Sequence, residues 1–288
     1  MAAESSAAAF ASLRGPARPL LIGTALGFVA LFLVLPLGVI FAEAFSLGLR
    51  AYAAALADPD VRAALLLTIF IALVAVPLNT FFGVAASWCL ARFRFRGRAL
   101  IVTLIELPFS VSPVVAGLLL VLLFGRFGLL GAFLEAHGVR VIFAVPGMVL
   151  ATIFVTFPFV ARELISLAQA QGNEEEEAAV TLGASFLQTF LQVSLPKLRW
   201  GLLYGVLLCN ARAIGEFGAV SVVSGEVPGQ TNTLPLEVHA LYSGYEMQAA
   251  FAAATLLAGI AIVTLVLKAA LESRHRDELR ATRRARTG

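Results

Sequence analysis

The sequence predicts an all-α integral membrane protein with six transmembrane helices and one polar helical hairpin on the cytoplasmic side. Three observations lead there. Of the 288 residues, 60% are hydrophobic and only 14% are charged, against about half and about a quarter in a soluble domain. The apolar residues are gathered into runs of roughly 20, the length a bilayer core demands. Between the fourth and fifth runs stands a stretch of different character, residues 173–196, polar and capped like a pair of short helices.

Residues 1–18 are Ala- and Ser-rich and read as a cytoplasmic lead-in. The first span covers 20–42. Its end, Ala42-Glu43-Ala44, resembles a signal-peptide cleavage site. The run is longer than the roughly 7–15 apolar residues of a signal peptide, so it reads as an uncleaved helix. With its external loop it fills 19–62. The core, 63–271, holds the other five spans, at 63–88, 99–124, 141–160, 202–223 and 247–271. Pro77, Pro108, Pro113 and Pro158 fall in or at the edge of spans two to four and imply kinked or broken helices. A basic tail, 272–288, reads as an anchor at the anionic inner leaflet.

Charge sets the orientation. Arg92, Arg94, Arg96 and Arg98 follow span two, and Arg162, Lys197 and Arg199 follow span four. With Arg14, Arg18 and the seven basic residues from Lys268 to Arg286, sixteen positive charges fall on one side. The other side has four: Arg50, Arg62, Arg126 and Arg140. The positive-inside rule therefore puts both termini and the hairpin in the cytoplasm of a bacterial inner membrane. Without the tail the imbalance is still nine to four.

The hairpin follows from capping rules. Asn173 is a candidate N-cap, with Glu176 three residues on to complete a capping box. Glu174 to Glu177 crowd the first turn, where the helix dipole favours negative charge. Gly183 supplies a left-handed C-terminal residue. Ser185 with Gln188 repeats the box and starts a second helix, with Phe186 and Phe190, and Leu187 and Leu191, at i, i+4 spacing. Pro196 is expected to end regular helix. Ala178 and Ala179 are small enough for a partner to approach closely.

No chemistry of an enzyme is legible. The chain lacks a GxxxxGK[ST] phosphate loop. His137, His239 and His275 fall in loops or tail, and Cys89 and Cys209 read as small apolar fillers. No metal cluster, cofactor site or nucleic-acid patch is expected. The sharpest signal inside a span is Arg212 with Glu216, one turn apart on span five. A charge there costs about 2.5–3.5 kcal/mol on insertion scales, so the pair should face protein or water. It is either a polar wall of a translocation path or a structural clasp. Asn210 and Phe217 beside it, and Glu106 on span three, are the other path candidates. Asn79 and Asn210 are candidates for hydrogen bonds between helices.

Glu177-Ala178-Ala179, then Gly183, then Val193-Ser194-Leu195-Pro196, resembles the EAA motif of permease subunits of ABC importers, E-A-A-x3-G-x9-I-x-L-P. Every fixed position matches except Val193, which stands where the pattern has Ile. The stretches 157–163, 215–219 and 229–236 look like the sulfate/molybdate branch. The run 76–80 and the four-glutamate start of the hairpin look most like the W-type subunits of sulfate/thiosulfate importers. The resemblance covers 52–268. It implies a type-1 ABC importer permease fold, with Glu176, Glu177, Ala178, Ala179, Gly183, Leu195 and Pro196 coupling to a separate ATPase. It also implies a T-type partner permease, two ATPase subunits that hold ATP and Mg, and an external sulfate- or thiosulfate-binding protein. Molybdate or tungstate import, secondary transport and a membrane scaffold remain open from the residues themselves.

Overall fold

In the computed structural model the backbone of residues 17–287 and the side chains of 19–274 are described. The expected lead-in lies almost wholly outside the described residues, and so do most side chains of the basic tail. All regular structure among the described residues is helical.

Helix α1, Pro19–Ala44, is the first span, and no residue in its most apolar stretch is buried. Leu20, Leu26, Phe32 and Leu33 are all at least 60% exposed, as a lipid-facing helix requires. A short α2, Leu49–Ala57, leads into α3, Pro59–Arg92, whose first turn is capped by Asp58. Helix α3 is longer than the expected second span and runs straight through Pro77. Helices α4, Arg98–Ser110, and α5, Pro113–Phe124, fill the expected third span, and the break that its prolines imply lies between them, with a bend of 114°. Pro113 disfavours helical backbone at Ser112, which is extended at ψ 135°.

After the short α6, Gly131–Ala136, helix α7, Val145–Gln171, continues eleven residues past the expected end of span four and carries Pro158 inside it. The hairpin helix α8 is Glu174–Thr181. Helix α9, Phe186–Ile214, joins the second hairpin helix to span five, and α10, Gly218–Ser224, leaves it at 50°. The expected outer loop 225–246 contains α11, Leu234–Ser243, which carries His239. Helix α12, Met247–Thr287, is the last span and runs on through the tail. Among the described residues four helices are long and apolar enough to cross a membrane, and up to six spans result if each bent pair counts as one.

The body is built on α3, which packs along α7, while α7 and α3 both pack on α9. One apolar cluster joins α3, α5, α7 and α10 through Ile71, Leu120, Met148, Val155 and Val220. A second joins α3, α7 and α9 through Val76, Val160, Leu164, Leu198 and Cys209. Helix α1 touches this body mainly through its final turns, which lie against α12. The expected interhelical bond at Asn79 is present: buried Nδ2 donates to Thr156 Oγ1 at 2.7 Å.

The closest approach of α3 to α7 depends on Gly83. A Cβ there would lie 2.8 Å from Val160 Cγ1 and 3.3 Å from the Ala161 nitrogen. Overpacking of this kind costs about 1–3 kcal/mol. Gly83→Val is therefore expected to lower the thermal midpoint of the purified protein. An unchanged melting curve would show that α3 and α7 can separate without loss.

Candidate functional site

The hairpin at the end of α7 is the most elaborated polar feature of the chain. Helix α7 stops at Gly172, which has φ 69°. Helix α8 ends in a Schellman-type turn: Gly183 sits at φ 90°, Gly183 N–H donates to Val180 O at 2.9 Å, and Ala184 N–H donates to Ala179 O at 3.0 Å. The Ser185–Gln188 capping box is formed, with Ser185 N–H donating to Gln188 Oε1 at 2.8 Å.

Two expectations for this segment are corrected. The Asn173–Glu176 box does not form, because both side chains are taken by Arg92. A guanidinium offers charge-assisted bonds that a solvated backbone N–H does not match. Pro196 does not end the second helix either. It lies in the first turn of an α-helical stretch that follows a π-helical turn, Phe190–Ser194, and α9 continues to Ile214. Leu195 is half-buried and Pro196 exposed.

Arg92 and Glu176 have only 9% and 10% of their side chains exposed. Arg92 Nη2 donates to Glu176 Oε1 at 3.0 Å, and Nε faces the other oxygen. Arg92 Nη1 donates to Asn173 Oδ1 at 2.7 Å and to Ala168 O, on α7, at 2.9 Å. Ser194 Oγ, on α9, donates to Glu176 Oε1 at 2.7 Å, and Trp88 Nε1, on α3, donates to Ser194 Oγ at 3.2 Å. The Trp88 ring packs on Phe186 and Phe190, with centroids 4.5 and 4.9 Å away. Lys197 Nζ lies 3.2 Å from Glu175 Oε2.

The opposite side of the hairpin is open. Glu177 and Ala178 are exposed and Ala179 is half-buried. Val180, Leu182, Phe186 and Leu187 are 58%, 89%, 62% and 61% exposed. An apolar surface of this size beside acidic residues, on a polar turn, is what a protein partner covers.

The path candidates divide. Arg212 Nη1 lies 2.6 Å from Glu216 Oε2, with 31% and 1% of the side chains exposed. Glu216 Oε1 also accepts from Ala219 N–H at 2.8 Å, which caps α10 at the bend. Phe217, at the same bend, meets His239 edge-on with centroids 5.4 Å apart. Asn210 is half-buried nearby on α9. Glu106 is not part of this group. It lies on α4, 3.8 Å from Arg162 Nε, both half-exposed, with Arg162 over the Phe109 ring. Arg162 is thus inside a helix rather than in the loop where hydropathy put it.

Sequence reasoning missed Arg92, Trp88 and Ser194 as parts of the hairpin. Arg92 was visible only as one of four alternate arginines, and nothing in their spacing marks the one that turns inward. No group of acidic, histidine or cysteine side chains fit for a metal occurs among the described residues.

Comparison with known proteins now places the chain. Residues 79–277 match the family model described as binding-protein-dependent transport system inner membrane component. The chain belongs to that family. It is 54% identical over 255 residues to the sulfate transport system permease protein CysW of Synechocystis, covering 88% of this chain and 92% of that one. It is 36% identical over 259 residues to the sulfate transport system permease protein CysT of Salmonella typhimurium, covering 90% and 94%. A bacterial alginate ABC transporter, solved in complex with its alginate pentasaccharide-bound periplasmic protein, has the same fold at 16% identity. There the TM-score is 0.74, over 89% of this chain and 93% of that one. The fold is therefore that of an ABC importer permease, and the chain is an inner-membrane component of such a transporter.

Gly183 fixes the turn between α8 and α9 at a φ that β-branched residues tolerate badly. Gly183→Val is expected to abolish transport while the subunit stays in the membrane at its normal level. Uptake assays with parallel immunoblots check this, and normal uptake would mean that the turn does not set the docking geometry.

Proposed function

We propose that this chain is one permease subunit of an ATP-driven importer for sulfate or thiosulfate, and that the hairpin 173–196 couples it to a separate ATPase. The observation that carries the reading is the division of the hairpin. The EAA-type residues Glu177 and Ala178 and the neighbouring apolar side chains are turned outward, on a body with the permease fold. Sulfate as cargo is supported by the names of the curated relatives, CysW and CysT. Because those two similar sequences are both called sulfate transport permeases, the natural partner is a second, T-type permease beside this one.

In this reading two ATPase subunits hold ATP and Mg on the cytoplasmic side, and this chain holds no cofactor. An external anion-binding protein delivers the cargo. Closure of the ATPase pair on ATP displaces the hairpin, and the helices continuous with it change the access of the path. A dianion crossing low dielectric needs positive or donor-rich groups in the wall. In this reading Arg212, the half-buried partner of Glu216, takes that role, roughly 25 Å along α9 from Leu195 at 1.5 Å per residue. Glu216 neutralises it at rest, which keeps the grip weak enough for release.

Purified complex in vesicles should take up labelled sulfate or thiosulfate when ATP and loaded binding protein are supplied. Uptake of molybdate in their place would reassign the cargo. For orientation, the exposed native thiol is first removed by Cys89→Ser. A cysteine at Gln230 should then react with an impermeant reagent from outside, and one at Glu175 only from inside. The reverse pattern would overturn the orientation drawn from the charge count.

Arg212→Gln separates path from clasp. As a path residue it should lose anion flux while assembly and ATP hydrolysis survive. As a clasp it leaves Glu216 buried and unpaired, at a cost of roughly 3–5 kcal/mol. Assembly should then fail first, and adding Glu216→Gln should restore it together with uptake. Full uptake by the double variant would rule out an anion contact at Arg212.

A further inference from the structure

The geometry points to Arg92 as the positioning residue of the hairpin, a latch through which movement of α8 reaches the membrane helices. This rests on the coupling role proposed above and names the residues that execute it.

Helix α8 has only eight residues. Its covalent link to α7 passes through Gly172 at positive φ, where glycine leaves the chain freest to turn. Short links of this kind let a helix swivel rather than push. Something else must make α8 rigid with the body if a push on it is to be felt across a bilayer core of roughly 30 Å.

The Arg92 network is placed to do this. A single guanidinium, at the last residue of α3, bonds to α7 at Ala168 O, to the link at Asn173 and to α8 at Glu176. Glu176 in turn accepts from Ser194 on α9, which is held by Trp88 on α3. The ends of three membrane helices thus close on one carboxylate. Of the other loop arginines, Arg94 and Arg96 stay exposed and Arg98 donates to Leu90 O on α3, so Arg92 is the one of the four that reaches α8. Desolvation of two charges needs further hydrogen bonds to offset it, and Ala168, Asn173 and Ser194 supply them around this pair.

The pattern of the motif agrees. Positions that the EAA pattern fixes at the start of the hairpin, Glu177 and Ala178, face outward. The latch uses residues that the pattern leaves open, Glu176 and Ser194. The outward side addresses the ATPase and the inward side addresses this chain's own helices.

The test uses the assembled transporter. In Arg92→Gln the subunit should remain in the membrane with its ATPase bound, but anion taken up per ATP hydrolysed should fall about tenfold, within the range of a coupling free energy. Hydrogen exchange at residues 174–189 should speed up. Arg92→Lys, which keeps the charge but not the fork, should fall between the two. The double variant Arg92→Gln/Glu176→Gln removes any unpaired charge but not the need for a grip. It should assemble and still be uncoupled. Full recovery of coupling in the double variant, or loss of the subunit in both variants, would make the pair a folding element and overturn the proposal. Unchanged exchange in Arg92→Gln would overturn it as well. The exchange measurement needs no cargo. If the native complex moves neither sulfate nor thiosulfate, the cargo assignment fails while the latch is still read.

Discussion

The constraint on which the whole arrangement depends is that a bilayer core offers no water to a polar group. Every polar side chain placed there must find its partner in the chain. Hydroxyls do so locally: Thr68, Thr80, Thr103, Thr152, Thr156 and Thr264 each donate to the carbonyl four residues earlier. Asn79 cannot do so within α3 and reaches across to Thr156 on α7. Arg212 and Glu216 answer one another within α9 and its bend. The polar inventory of the spans is small, and its members tie helix to helix or mark a break. What remains is apolar and either packs, as Val160 and Leu164 do, or faces lipid, as Leu66 and Leu73 do.

The hairpin obeys a different rule because it stands outside that medium. Water is available to Glu174, Glu175 and Glu177, and they remain exposed. Glu176 alone is buried among the four. Its burial is tolerable because Arg92 Nη2 and Ser194 Oγ both donate to Oε1 while Arg92 Nε lies against Oε2. The consequence is a segment with two unlike faces, one apolar and open, the other held by a closed polar network. A turn that only connected two spans would need neither.

Much of this was legible in the sequence, and the failures have physical causes. The apolar runs located the membrane helices, and glycine and capping chemistry placed the turn at Gly183 and the box at Ser185 with Gln188. Proline could not be read alone. Pro77 and Pro158 sit inside continuous helices, whereas Pro113 stands at a break. The end of α7 was missed because hydropathy falls at Arg162 and Glu163 while the helical period continues through Ala161, Leu164, Ile165 and Ala168, all buried. Arg92 was counted as a charge, and a charge count carries no information on where a side chain turns.

The π-helical turn at Phe190–Ser194 connects these themes. A proline at 196 has no N–H to offer the preceding turn and would normally stop a helix. Here the wider turn absorbs the defect: Leu195 N–H donates back to Phe190 O, five residues earlier, and regular helix resumes with Pro196 in its first turn, where no donor is needed. The hairpin and span five are therefore one helix rather than two joined by a flexible break. The same turn carries Ser194 at its end, turned inward to Glu176, while the next turn buries Leu198 in the core. The Leu195-Pro196 pair that looks like a stop signal thus marks the point where a hairpin helix passes into a membrane helix without a break. A displacement at Phe186 has a continuous path along α9 to Arg212.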